Sequence, residues 1–121
     1  MKILLVDDDA FLRDMYATKF SESGHKVDTA DSPSAALSKV ESETFDVMLL
    51  DMIMPGMSGV ELMQAVKEQF PKKKMKHIVL SNQGQEADIQ DAEAAGAIGY
   101  IVKAEVIPSD VVKKVEKLME K

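Results

Sequence analysis

Four apolar runs in this chain each end in a residue that can do chemistry. Ile3-Leu4-Leu5-Val6 runs into Asp7-Asp8-Asp9, and Val47-Met48-Leu49-Leu50 runs into Asp51. Ile78-Val79-Leu80 ends at Ser81, and Ile101-Val102 ends at Lys103. Singly, each has a plain structural role: Asp8 or Asp9 caps a helix, Asp51 opens the turn from Met52 to Gly59, Ser81 starts a turn, and Lys103 is a surface lysine. Jointly, that reading must gather three carboxylates in a low-dielectric crevice without compensation. Carboxylates with no histidine or thiol beside them suit a hard, oxygen-seeking cation, Mg²⁺ first, with Mn²⁺ as a substitute. A lysine opposite that cation then suits an anionic ligand, such as a phosphoryl group, held between two positive charges.

The residues converge only if the runs lie side by side, and the pattern between them says that they do. Continuous rather than alternating hydrophobicity marks strands buried on both faces, as in a parallel sheet. A fifth candidate, Val27-Asp28-Thr29-Ala30, alternates and belongs at an edge. Amphipathic helices fill the intervals. Leu12, Met15, Tyr16 and Phe20 share one face, closed by Gly24; Asp31 or Ser32 caps a helix with Pro33 in its first turn. Ser58 and Glu61 form a capping box ahead of Leu62, Met63, Val66 and Phe70, and Pro71 stops that helix. The segment from Gln85 to Ala95 has the thinnest apolar stripe, and Val111, Val112, Val115, Leu118 and Met119 form the last one after Pro108. Five strand–helix units predict an α/β fold, a doubly wound parallel sheet in the order 2-1-3-4-5, whose ligands sit beyond the carboxyl ends of the strands.

Composition bounds the alternatives. The chain has 121 residues, 45% of them apolar, with 15 basic and 21 acidic side chains and a formal net charge of −6. That fits one domain over residues 1–121 with a core of its own. The acidic balance argues against gripping nucleic acid or anionic lipid, and no apolar run approaches the roughly 20 residues of a membrane span. No cysteine is present, so disulfides, thiolate nucleophiles and zinc–thiolate sites are excluded. The basic run Lys72–Lys74, with Lys76, reads as a solvated loop. His25 and His77 sit at no strand's carboxyl end and read as structural or surface residues. The expectation is a soluble, cytoplasmic domain.

The segments LLVDDD at 4–9, LLDMIMPGMSG at 49–59, VLS at 79–81 and GYIVK at 99–103, in that order and spacing, resemble the response-regulator receiver domain of two-component signalling. The resemblance covers residues 2–120 and implies the CheY-like, flavodoxin-like version of this fold. It also implies phosphoryl transfer to Asp51 from a sensor histidine kinase or phosphotransfer protein. By the same resemblance Asp8 is the direct metal ligand, Asp7 its acidic partner acting mostly through water, and Ile53 offers a backbone carbonyl to the metal. Ser81 supplies the hydroxyl that moves onto the phosphoryl oxygen, Lys103 the neutralising ammonium, and Tyr100 the aromatic switch. The switch acts on a face made by the fourth helix, fifth strand and fifth helix, toward a partner, an output domain or a second copy in a phosphorylation-dependent homodimer. Asp9 is left as a cap. Such a domain is not a conventional enzyme: it catalyses its own phosphotransfer and a slow loss of the group, tuned by Ile53, Asn82 and Gln83.

One position departs from the family. Ala104 follows Lys103 where proline, often in a cis peptide, is usual; a cis bond before alanine costs about 2.5–4 kcal/mol, so a trans peptide is expected. The rival enzyme reading takes Asp7-x-Asp9 as the motif of a Mg²⁺-dependent aspartyl phosphatase of the haloacid-dehalogenase type. Phe11 stands where those enzymes want Thr or Val. A flavodoxin is disfavoured because Ala10-Phe11-Leu12 replaces a phosphate-binding loop, and a pseudo-receiver because every acidic position is filled. A stand-alone receiver is the literal reading, and a piece of a longer regulator has the same sequence.

Overall fold

The structure, a computed structural model, describes residues 1–120; Lys121 lies outside the described residues. The sheet has five parallel strands: β1 (Lys2–Val6), β2 (Lys26–Ala30), β3 (Val47–Leu50), β4 (Lys76–Ser81) and β5 (Gly99–Val102). They stand in the order β2-β1-β3-β4-β5. Helices follow each strand: α1 (Ala10–Glu22), α2 (Pro33–Ser42), α3 (Gly59–Gln69), α4 (Glu86–Ala94) and α5 (Pro108–Met119).

Alternation along the strands separates two cores, because successive side chains leave a strand on opposite faces. Leu4, Val6, Met48, Leu50 and Val79 pack with Ala36 and Val40 of α2, Leu62, Met63 and Val66 of α3, and Ala92 of α4. Ile3, Leu5, Val47, Leu49, Ile78, Leu80 and Ile101 pack with Tyr16 and Phe20 of α1 and Val111, Val112 and Val115 of α5. Both faces of the three central strands are therefore dry, which is why their sequences read as unbroken apolar runs. β2 is the edge that its polar residues require; Asp28 there is paired with Lys39 at 2.8 Å.

Helix ends follow their local chemistry. Ser32, not Asp31, caps α2 by accepting from Ala35 N at 3.2 Å, and the Ser58–Glu61 box closes α3 with both reciprocal bonds. Gly24 ends α1 at φ +91°, a conformation a side chain rarely adopts. The chain also departs from the sequence expectation. β4 starts at Lys76, earlier than its apolar run, and Lys103 opens a single 3₁₀ turn, Lys103–Glu105, rather than closing β5. None of the helices among the described residues is long and apolar enough to cross a membrane.

Candidate functional site

Each parallel strand delivers its last side chains to the same rim, so the register of β1, β3 and β4 sets the site. Val6 stands level with Leu50, and Leu50 with Val79. Asp7 and Asp51 thus emerge side by side, with Ser81 two residues beyond Val79. Asp7, Asp8 and Asp51 each offer a carboxylate oxygen, and the three oxygens lie within 4.8 Å of one another. Asp7 is buried, Asp51 half-buried and Asp8 exposed.

Lys103 ties this rim together from the far end of the sequence. Its Nζ donates to Asp7 Oδ2 at 2.6 Å and to Asp51 Oδ2 at 2.9 Å, and the residue is only 9% exposed. Burial works against the charged ammonium, but the bonds to Asp7 and then Asp51 outweigh it and raise the lysine's pKa. The Lys103–Ala104 peptide is trans, no cis bond occurring among the described residues, and the turn still aims the ammonium at the carboxylates.

Asp51 is held on its other oxygen as well. Ser81 Oγ, fully buried, donates to Asp51 Oδ1 at 2.7 Å, and Ile53 N donates to the same oxygen at 3.2 Å. Gln83 N in turn donates to Ser81 Oγ at 3.2 Å, which orients the hydroxyl. Ser81 thus rests on the carboxylate that the sequence assigns as phosphoryl acceptor. Tyr100 is half-buried, and its hydroxyl donates to the Gln83 carbonyl. Burial, then the nearby Asp88 carboxylate, push that phenol's pKa up.

Asp9 caps α1, accepting from Leu12 N at 3.0 Å, and stays outside the carboxylate group. Ile53 is 61% exposed at the mouth, and Asn82 and Gln83 are exposed beside it.

Two supports were not read from the sequence. Arg13 Nη1 donates to the Asp7 carbonyl at 2.9 Å, pinning the β1–α1 turn; an arginine four residues beyond a helix cap gives no hint of this. Gly59 packs against the β3 end so closely that a Cβ would collide with the Asp51 carbonyl and stand 3.0 Å from Met52 Cα. A glycine directly after a capping serine was the available signal.

The donor set fits a hard divalent cation. All its groups are oxygens, and three carboxylates against one ammonium leave two negative charges for a cation to balance. The same set fits an anion once that cation is present, with Lys103 and Ser81 both placed as donors.

Comparison with known proteins agrees with this geometry. The family model described as the response regulator receiver domain matches residues 3–116. The two-component response regulator PhoP of Pseudomonas aeruginosa is 36% identical over 85% of this chain, which spans 45% of PhoP's own length. The chemotaxis protein CheY of the same organism is 32% identical, covering 100% of this chain and 98% of CheY. A CheY-like response regulator receiver domain protein from Methanospirillum hungatei superposes with a TM-score of 0.87 at 30% identity, covering 98% of this chain and 93% of its own.

Proposed function

This chain belongs to the response regulator receiver domain family of two-component signalling, and from that premise we propose that Asp51 accepts a phosphoryl group from a histidine kinase or phosphotransfer protein. The observation that carries the reading is the double anchoring of Asp51. Lys103 holds one of its oxygens and Ser81 the other.

Those anchors fix the direction of the nucleophile without consuming its electrons. One Asp51 oxygen attacks phosphorus in line, the bond to the donor's nitrogen or oxygen breaks, and the leaving group departs with its electron pair. As charge moves onto the phosphoryl oxygens, the Lys103 ammonium and the Ser81 hydroxyl exchange their bonds to the carboxylate for bonds to those oxygens. Little reorganisation is needed, since both donors already point into the cleft. Asp7 keeps Lys103 charged and aimed. Asp7, Asp8 and Asp51, with the Ile53 carbonyl, would hold Mg²⁺, which when bound supplies charge neutralisation to the transferring group.

The product is an acyl phosphate, a new dianion beside the Ser81–Gln83 segment. Gln83 joins the site to the switch. Its N–H reads Ser81 and its carbonyl holds Tyr100. A shift of Ser81 toward the phosphoryl group therefore pulls on the Tyr100 anchor, and through it on the face of α4, β5 and α5, which we assign to the downstream partner. We read residues 1–121 as one receiver unit, monomeric or dimerising on phosphorylation.

Acetyl phosphate tests the reading. Intact-mass measurement should show one added phosphoryl group in Mg²⁺ buffer and none with a chelator, and Asp51→Asn should remove the gain while leaving the melting curve cooperative. A gain that survives Asp51→Asn at the normal rate overturns the assignment.

A further inference from the structure

At the end of the sheet opposite the carboxylates, the chain carries a basic groove that the reading of Asp51 does not use. Between Lys67 and His77 five lysines, at 67, 72, 73, 74 and 76, stand against one acid, Glu68, in a chain whose net charge is −6. None of the five is in an ion pair among the described residues. Lys67, Lys73 and Lys76 line a groove of about 320 Å³ between the C-terminal end of α3 and the α4–β5 turn. Phe70 and Ile98 give it apolar walls, Ile98 being 39% exposed.

His77 also lines this groove. It is only 5% exposed, and its Nδ1 has no hydrogen-bond partner. Unpaired buried nitrogens are rare and costly in folded proteins. Burial first, and the Lys67 charge second, hold the ring's pKa down to about 4, so near neutral pH it is an uncharged donor and acceptor. Lys67 is fixed over the groove by donating to the Ala95 carbonyl at the end of α4, and Gly96, at φ +108°, leaves the space its ammonium occupies.

We propose that this groove binds an acidic peptide segment of a partner protein, one apolar side chain lying between Phe70 and Ile98 and its carboxylates on Lys73 and Lys76. Charge complementarity selects a short segment over a long polyanion. Screening confines surface attraction to about 8 Å at physiological salt. A short peptide therefore meets only the lysines, whereas a nucleic acid strand or a lipid surface extends over the acidic remainder of the molecule. The apolar walls add a contact that a phosphate backbone cannot use.

The probe is a nonapeptide of glutamates flanking one leucine, titrated into the isotope-labelled full chain without phosphodonor. Saturable amide shifts are expected at Lys67, His77 and Gly96, with Asp51 and Tyr100 unmoved. Lys73→Glu with Lys76→Glu should weaken binding at least about tenfold. The proposal fails if no saturable shift occurs, if shifts spread over the lysines of α5, or if the charge reversal leaves affinity unchanged. It also fails if an oligothymidylate of equal charge or an anionic vesicle binds more tightly than the peptide.

Discussion

We assign Lys103 two duties, charge compensation and phosphoryl neutralisation, and they should separate on substitution. It compensates two carboxylates, one of them buried, from 6% side-chain exposure. Removing one partner of a buried pair leaves the other charge stranded, at about 3–5 kcal/mol. Lys103→Met should therefore lower stability to urea by roughly that amount in metal-free buffer, and added Mg²⁺ should restore part of it. The same variant should bind Mg²⁺ more tightly, since one cation fewer competes for the carboxylates, yet accept phosphate far more slowly. Equal stability with and without Mg²⁺ would show that the carboxylates are not the metal's site. We expect Ile53 to govern a second property. An in-line water opposite Asp51 must be positioned to hydrolyse the acyl phosphate, and the Ile53 side chain has no donor or acceptor to position it. Asn82 is bulkier than the alanine usual in quickly resetting receivers, and Gln83 is a neutral amide whose backbone already serves Ser81 and Tyr100. We expect a long-lived phosphorylated form. Ile53→Asn combined with Asn82→Ala should shorten its lifetime about ten- to a hundredfold, read as decay of the phosphorylated mass in Mg²⁺ buffer. A natural protein that resets within seconds, or a double variant no faster, would contradict this.

Among the elements, we expect α4 to move most readily. It has no side-chain N-cap bond and buries only Ala92, whereas α3 has a full capping box and buries Leu62, Met63 and Val66. Local opening is cheapest where few apolar contacts must break. Backbone amides of α4 should exchange with deuterium at least about tenfold faster than those of α3 and α5, and phosphorylation should change α4 more than either. Uniform exchange across the three helices would remove α4 from the switch. This weakness was visible in the sequence, because the stretch from Gln85 to Ala95 offers alanines where other helices offer leucine and valine. The strands were equally legible: unbroken apolar runs have no other place in an α/β domain, and Asp28 sends β2 to the edge. The start of β4 was hidden because Lys76 and His77 are polar, although backbone pairing with β3 carries the strand through them. The 3₁₀ turn at Lys103 was hidden because it rests on the sheet's end rather than on local propensity. The bond from Lys103 to Asp7 spans 96 residues, and only the fold reveals that one ammonium serves both carboxylates.

Over the whole molecule, charge is sorted along the strand direction. Carboxylates gather at the carboxyl ends of β1 and β3, and lysines gather at the start of β4. A parallel sheet permits this sorting because all its strands present the same end to each rim, so the carboxylate cluster and the lysine-lined groove stay a sheet's length apart. Only the first of these is tied to a matching family, and its central claim is that one aspartate, Asp51, carries the phosphoryl group. Borohydride tests that claim most directly, because it reduces an acyl phosphate at the carbonyl carbon and leaves homoserine where the phosphorylated aspartate stood. After treatment with acetyl phosphate and Mg²⁺, peptide mapping should find homoserine at position 51 and nowhere else. Homoserine at position 7 or 8, or phosphate released catalytically from a phosphomonoester with no acyl phosphate formed at Asp51, would contradict the account.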